Sequence, residues 1–333
     1  GYEALKSNTT ASYNTATGYH SLKLNTTGSE NAGFGSFSLQ ANTTGDNNTA
    51  VGYQALDGNT TGSNSVAIGR DALVANTTAS NNTAVGYQAA YSNTTGTENT
   101  AVGYVSMYSN TTGSYNTAYG RSSLPVNQTG SYNTAVGWGS LNFTTASNNT
   151  AVGYQAGYTN TTGVENTANG VQALYSNTTG SYSTAVGYRA LFYNTTAPNN
   201  VAVGYQAGYA ITTADRSTIV GTKAADNLTT GGGNVVVGYH AMGNATTADL
   251  STVVGYQAGE GITTGARNTM VGVNAGASTT TGTGNTFIGG ASTGQGNGAG
   301  KAVTTGSKNT ILGTYDGNQG GLDIRTSSNN IVL

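Results

Sequence analysis

Glycine recurs at a nearly fixed interval along the chain, and this repeat constrains the fold more than any other feature. From Gly1 to Gly313, sixteen of the eighteen intervals between recurring glycines are 17 residues long, one is 16 and one is 24. We number positions from this repeat glycine, so that Gly52 is position 0, Tyr53 is +1 and Val51 is −1. Such a period is typical of solenoids, in which each repeat forms one coil stacked on the next.

The residues within each repeat favour short strands over helices. Position −1 is aliphatic and position −3 is Thr or Val in most repeats, as in Thr49–Val51 and Val66–Ile68. Seventeen residues cannot hold two helices and their turns, and Thr, Asn, Gly and Val are poor helix formers. The Asn-Thr-Thr-Gly segments are typical of turns. The repeat therefore predicts an all-β parallel β-solenoid of 17-residue coils, in which strands of successive coils pair in parallel.

Composition and charge narrow the function. The net charge is −2 and only 7% of the residues are charged, so a basic nucleic-acid-binding stripe is not expected. The chain contains no Cys, which excludes a disulfide framework and a Cys metal site. No stretch is apolar enough to span a membrane. We expect no nucleic-acid partner, no membrane insertion and no cofactor, and an extracellular, cell-surface or virion location.

Residues with catalytic or metal-binding chemistry are scattered. His20 and His240 are the only histidines and lie many coils apart, and the carboxylates fall in different columns without a repeated pair. The segment Gly294–Gly300 resembles phosphate-binding loops but lacks the strand-then-helix context that such loops need. We therefore expect no catalytic, cofactor-binding or metal site, and a protein that is not an enzyme.

Two columns change character towards the C-terminus. Positions −3 and −1 share one side of the strand, which we expect to be the interior, so position −2 should point outward. Position −2 is mostly Ala up to Ala202, and position +7 changes from Asn to residues such as Ile211 and Leu228. Large outward apolar columns favour a self-association interface. The alternative is a coil that changes cross-section and buries both columns in itself. The interface residues at −2 would be Ile219, Val236, Val253, Met270, Phe287 and Ile311.

Eleven repeats carry the N-glycosylation sequon Asn-x-Thr at +7 to +9. One interpretation is glycosylation, and the other, which we favour, is a turn Asn followed by a ladder of Thr. The Thr at +9 persists where the Asn is lost, as at Thr213 and Thr264, which indicates that the coil itself needs it. The sequon residues are Asn8, Asn25, Asn42, Asn59, Asn76, Asn93, Asn110, Asn127, Asn160, Asn177 and Asn194.

Tyrosine concentrates in two further columns. It dominates position +1, as at Tyr87 and Tyr104, and its regularity there favours a stacking ladder within the scaffold. It also occurs at +12, as at Tyr115, Tyr132 and Tyr182. At +12 a scaffold role and a platform for sugars or receptors both remain open, because Tyr offers rigid area with a polar tip.

The regularity of the repeat divides the chain into three parts. Residues 1–289 form the regular shaft, 290–312 a Gly-rich insertion with an atypical coil, and 313–333 a terminal coil. The chain begins on a repeat glycine and stops where the pattern expects another. We therefore expect a segment of a longer protein, with the terminal coil leading into a further C-terminal region.

The residues Asn64-Ser65-Val66-Ala67-Ile68-Gly69 resemble the head repeat of YadA-like trimeric adhesins. The longer unit Asn-Thr-Ala-Val-Gly-Tyr-Gln-Ala is similar to repeats of bacteriophage tail-fibre proteins. The ending Ser327–Leu333 resembles the segment that precedes a C-terminal intramolecular chaperone in such fibres. The resemblance covers nearly the whole chain and implies a left-handed, trimeric β-roll that binds host surfaces. The adhesin unit is shorter than 17 residues, so the Asn-Thr-Thr-Gly segment departs from it.

These observations give one leading hypothesis and two alternatives. The leading one is a homotrimeric structural and adhesive fibre shaft, from a phage tail or a surface adhesin, that positions a receptor-binding tip. Its partners would be its own copies and a host-surface glycan or receptor. The second is a self-assembling, glycosylated extracellular filament. The third is an ice-binding solenoid, since Thr is stacked at +8 and +9, although adjacent residues leave only one outward rank there.

Overall fold

The computed structural model describes residues 1–290 and 296–333 and confirms the predicted fold class. The chain is an all-β parallel β-solenoid of about 18 turns, and the described residues contain no helix. It forms two compact units, Gly1–Glu165 and Asn166–Leu333. Residues 291–295, which include Gly294 of the glycine-rich segment, lie outside the described residues.

Unit 1 contains nine three-residue strands, one in each coil. Thr49 pairs with Val66 one coil later, and the same parallel register with a 17-residue step recurs until the last pair, where the step is 16. A strand of three residues is long enough because it pairs only with the strands of the two neighbouring coils. The strands are β1 (Thr15–Thr17), β2 (Ala32–Phe34), β3 (Thr49–Val51), β4 (Val66–Ile68), β5 (Thr83–Val85), β6 (Thr100–Val102), β7 (Thr117–Tyr119), β8 (Thr134–Val136) and β9 (Thr150–Val152).

Unit 2 repeats this arrangement and ends less regularly. A short antiparallel hairpin interrupts the last coil, and the final strand then pairs in parallel with β18 through Thr310 and Ile331. The strands are β10 (Thr167–Asn169), β11 (Thr184–Val186), β12 (Val201–Val203), β13 (Thr218–Val220), β14 (Val235–Val237), β15 (Thr252–Val254), β16 (Thr269–Val271), β17 (Thr286–Ile288), β18 (Thr310–Leu312), β19 (Asn318–Gln319), β20 (Leu322–Asp323) and β21 (Ile331–Val332).

The repeat glycine is needed where the backbones of neighbouring coils approach closely. Gly52 has φ of 136°, and a Cβ built on it would lie 2.6 Å from the carbonyl oxygen of Gly69 in the next coil. A side chain at this position would clash with the backbone of its neighbour, and the backbone conformation itself is one that glycine alone adopts readily. The interval of 17 residues is therefore set by the stacking of the coils.

The strands show that position −2, and not −1 and −3, faces the interior. In β2 to β18 the middle residue is buried, whereas its two neighbours are partly or fully exposed, as in Ala50 between Thr49 and Val51. The prediction that −3 and −1 point inward was therefore wrong, and so was the outward direction predicted for −2. The residues assigned to a self-association interface have no exposed side-chain surface: Ile219, Val236, Val253, Met270, Phe287 and Ile311 are each 0% exposed. The coil buries this column in itself.

The interior has room for either of two packing arrangements. In unit 1 a small Ala at −2 accompanies a large Leu at +4, and both are fully buried, as in Leu56 and Ala67. In unit 2 the large residues Ile211 and Ile219 accompany Gly208 at +4, and a Cβ on Gly208 would lie 3.1 Å from the Cδ1 atoms of both. Large and small residues thus exchange places within one coil at nearly constant volume, which protein interiors require.

Candidate interaction surface

The outward side chains of positions −3 and −1 form a regular surface in each unit, which we call the strand face. Ile68, Val203 and Val235 are 40%, 37% and 40% exposed, although aliphatic side chains of this size are usually buried. No strand from β1 to β18 carries Asp, Glu, Lys or Arg at −3 or −1. Parallel strands lie about 4.8 Å apart, so the strand face presents two straight ranks of Thr, Val and Ile.

The sequon asparagines at +7 lie inside the coil and not on its surface. Asn59 is 0% exposed, and its Nδ2 donates hydrogen bonds to Asn42 Oδ1 at 2.8 Å and to the Gly62 carbonyl at 2.9 Å. Asn76 Nδ2 in turn donates to Asn59 Oδ1 at 2.8 Å. Ten of the eleven sequon asparagines are buried to 0–1% exposure, and only Asn8 in the first coil is half-buried.

This ladder supports the structural interpretation of the sequons. A glycan replaces one of the two hydrogens on Nδ2, so it would remove one of the two donated hydrogen bonds and would have to leave through the packed interior. The argument that the sequons give for a glycosylated filament therefore loses its support. In unit 2, position +7 is occupied by apolar residues such as Ile211, Leu228 and Ile262. All three are 0% exposed, so this position is buried whether it holds Asn or an aliphatic residue.

A second asparagine ladder lies at position −4. Asn31 Oδ1 accepts a hydrogen bond from the backbone N–H of Asn48 at 2.9 Å, and Asn48 Nδ2 donates to the Gly62 carbonyl of the next coil at 2.8 Å. Serine replaces Asn at Ser65, which is equally buried. These bonds satisfy backbone groups at the turn before each strand, so the column stabilises the stacking of coils.

The stacked threonines differ in how free their hydroxyl groups are. At +8 the hydroxyl of Thr43 donates to the Thr60 carbonyl of the next coil at 3.0 Å, and the same bond joins Thr60 to Thr77. At +9 residues such as Thr44 are exposed. The +8 hydroxyl groups therefore donate hydrogen bonds to the backbone of the next coil, and the exposed column of Thr is the one at +9.

Tyrosines at +1 form stacked pairs beside the strand face. The rings of Tyr87 and Tyr104 lie 5.4 Å apart with 13° between their planes, and Tyr188 and Tyr205 repeat this geometry at 5.3 Å and 12°. These rings remain 38–50% exposed. They widen the surface beside the strand face. Two arginines interrupt the ladder, with Arg70 5.6 Å over the ring of Tyr53 and Arg121 5.4 Å over that of Tyr104.

The ion pairs lie in other columns. Lys23 and Lys6 donate hydrogen bonds to the Glu3 carboxylate, and these bonds lower the pKa of Glu3 to about 2. In the last coil Arg325 does the same for Asp323, whose pKa also falls to about 2. The exposed Arg325–Asp323 pair adds little to the free energy of unfolding. None of these charged side chains lies on the strand face.

The fold and this surface together define a β-solenoid repeat protein with one uncharged sheet face. Among the described residues no group of three or more His, Cys, Asp or Glu side chains is placed to hold a metal ion. A search of residues 1–290 and 296–333 for a helix long and apolar enough to cross a membrane finds none. No protein-family model matches the chain, and a search of curated proteins finds no relative.

Proposed function

We propose that this chain is the shaft of a homotrimeric structural and adhesive fibre on a cell surface or virion, and that its copies pack through the strand face. The observation that carries the proposal is the strand face itself. It is uncharged and regular, and most coils present an exposed or half-buried apolar side chain at −1 beside Thr or Val at −3. Position −2, to which the sequence analysis assigned the interface, has no part in it.

The size of the strand face supports this role. Nine strands at about 4.8 Å and three residues at about 3.3 Å give an area of about 400 Å² in each unit. About half of each face is the largely apolar rank at −1. A standard interface buries about 800 Å² on each partner. A second copy of the chain matches this surface best, because its coils repeat at the same spacing.

The number of copies comes from the resemblance to trimeric adhesin heads. The residues that carry it, Val66, Ala67 and Ile68, lie with Ala67 buried and Val66 and Ile68 on the strand face. Three strand faces around a common axis would cover these side chains in every copy. Closed cyclic symmetry of this kind gives an assembly of defined size.

The mass of the protein in solution tests the proposal. For a chain of 33.4 kDa, we expect sedimentation equilibrium to give a single species of about 100 kDa for a closed three-chain assembly. A stable monomer at micromolar concentration would overturn the proposed assembly. A broad series of sizes that grows with concentration would instead favour the self-assembling filament, since an interface that does not close generates open polymers.

A further inference from the structure

Asn169 is the only residue with a side-chain amide on the strand face. Elsewhere in β1 to β18, positions −3 and −1 hold Thr, Ala, aliphatic or aromatic residues, and every strand from β11 to β18 has an aliphatic residue at −1. Asn is disfavoured in strands, whereas Val, which occupies −1 in the next coil as Val186, is favoured. The local backbone therefore does not explain why position 169 holds Asn.

The amide of Asn169 is unpaired in the single chain. Its side chain is exposed and forms no hydrogen bond to any described residue, whereas the buried Asn166 donates from Nδ2 to the Gly180 carbonyl at 2.8 Å. Water satisfies the amide of Asn169 as long as the strand face is open. Once another copy covers this face, an unsatisfied amide costs more than a hydrogen bond normally contributes. The covering copy therefore has to supply a matching polar group.

The repeat alone does not determine how two copies align along the strand face. In unit 2, Val186, Val203 and Val220 occupy the same position of successive coils, about 4.8 Å apart. Two strand faces shifted against each other by one coil would therefore form nearly the same apolar contacts. Strand pairing and packing on such a uniform surface are only weakly specified in register. A residue that differs from its column is needed to select one alignment.

We infer that Asn169 fixes the register in which copies of the chain associate. Equivalent residues of a closed cyclic assembly lie at one level around its axis, so each Asn169 faces Asn169 of the other copies. An amide both donates and accepts, so the amides can bond to one another. A shift by one coil places Asn169 against Val186 and leaves the amide unsatisfied. A single Asn in the apolar seam of a coiled coil specifies register and oligomeric state in the same way.

The register also decides whether the assembly closes. A shift of one coil at every interface accumulates around the ring, so the last copy does not meet the first, and the chains form an open polymer. Asn169 thus favours the closed three-chain shaft over a staggered filament. The inference rests on the proposed homotrimer, for which it names the residue that aligns the chains.

Disulfide formation between mixed chains measures the register. The chain contains no Cys, so one preparation receives Val203→Cys and the other Val220→Cys, and the two are unfolded in urea and refolded together. A disulfide requires Cα atoms within about 7 Å of each other. Aligned chains join 203 to 203 and 220 to 220, whereas chains shifted by one coil join 203 to 220. Mass mapping of the oxidised peptides distinguishes these links.

The test variant adds Asn169→Val to both preparations, and a rescue variant adds Asn169→Val with Val186→Asn, which moves the amide by one coil. Val and Asn both occur at −1, so we expect both variants to fold. The control is Asn244→Ala, which removes an exposed Asn at +6, where Ala210 occurs naturally.

We expect only links between like positions in the unaltered background, in the control and in the rescue variant. In Asn169→Val the fraction of 203–220 links should rise at least about tenfold, as the loss of one buried amide partner implies. No rise in Asn169→Val, or no reversal in the rescue variant, would overturn the role of Asn169 and leave the proposed assembly intact. A monomeric unaltered chain, or a three-chain assembly without either kind of link, would overturn the proposed assembly itself.

Discussion

Two aspartates on the strand face should convert the assembled protein into single chains. In the variant Val203→Asp with Val235→Asp, both carboxylates face water in the isolated chain, because the two valines are 37% and 40% exposed. Such surface substitutions change the free energy of unfolding little. In the assembly each aspartate would be buried against its own copies, and juxtaposed like charges at an interface cost several kcal/mol. We expect association to weaken by at least about 100-fold, which corresponds to about 2.7 kcal/mol.

Sedimentation equilibrium and circular dichroism together check this prediction. The charged variant should sediment as one chain with an unchanged β-sheet spectrum. The matched control replaces the same residues with Thr, which has nearly the volume of Val and already occupies position −3 in many coils. This control should keep the mass of the unaltered protein. An aspartate variant that still assembles would show that copies do not meet through the strand face.

A single buried carboxylate in the +7 ladder should cause the largest loss of stability. Asn59→Asp removes both hydrogen bonds that Nδ2 donates to Asn42 and Gly62, and it brings a negative charge to two acceptor oxygens. An uncompensated buried charge costs about 3–5 kcal/mol. Asn64→Asp is the control in the same coil, since Asn64 is exposed at +12. Urea unfolding at pH 7 should show a large decrease in the midpoint for the first variant only.

The pH dependence of this loss has a definite sign. Burial disfavours the charged form, so the pKa of Asp at position 59 should be higher in the folded chain than the value of about 3.9 in the unfolded one. The penalty is then fully present above the folded pKa and disappears below the unfolded pKa. Unfolding midpoints of the variant and the unaltered chain should therefore converge as the pH falls towards 4. Equal penalties at pH 7 and pH 4 would contradict the buried placement.

The sequence sufficed to predict the coil and its period, since these depend on repetition alone. It did not tell which side of the strand is inside. A period of two shows that −3 and −1 share a side, but not which side that is. The interior direction predicted for −3 and −1 was wrong because Leu at +4 already fills the interior, as Leu56 does beside Ala67.

The sequence does contain a signal that the side chain at position −2 points into the coil. In some coils of unit 2 a large residue at −2 accompanies glycine at +4, as in Ile219 with Gly208 and Met270 with Gly259. When one position becomes larger and another becomes smaller in the same coil, the two side chains pack in the same part of the interior. Likewise, Ile and Leu replace Asn at +7, which indicates a buried column and weakens the glycosylation interpretation.

Thiol labelling would test most directly whether copies meet through the strand face. The chain contains no Cys, so single cysteines can be introduced at Val203 on the strand face and at Thr213, which is exposed at +9. In the native protein we expect the thiol at 203 to be protected and the thiol at 213 to react quickly. In a background dissociated by two aspartates elsewhere on the strand face, Val235→Asp with Ile288→Asp, the thiol at 203 should become reactive. Rapid native labelling at 203, equal to that at 213, would contradict the proposed assembly.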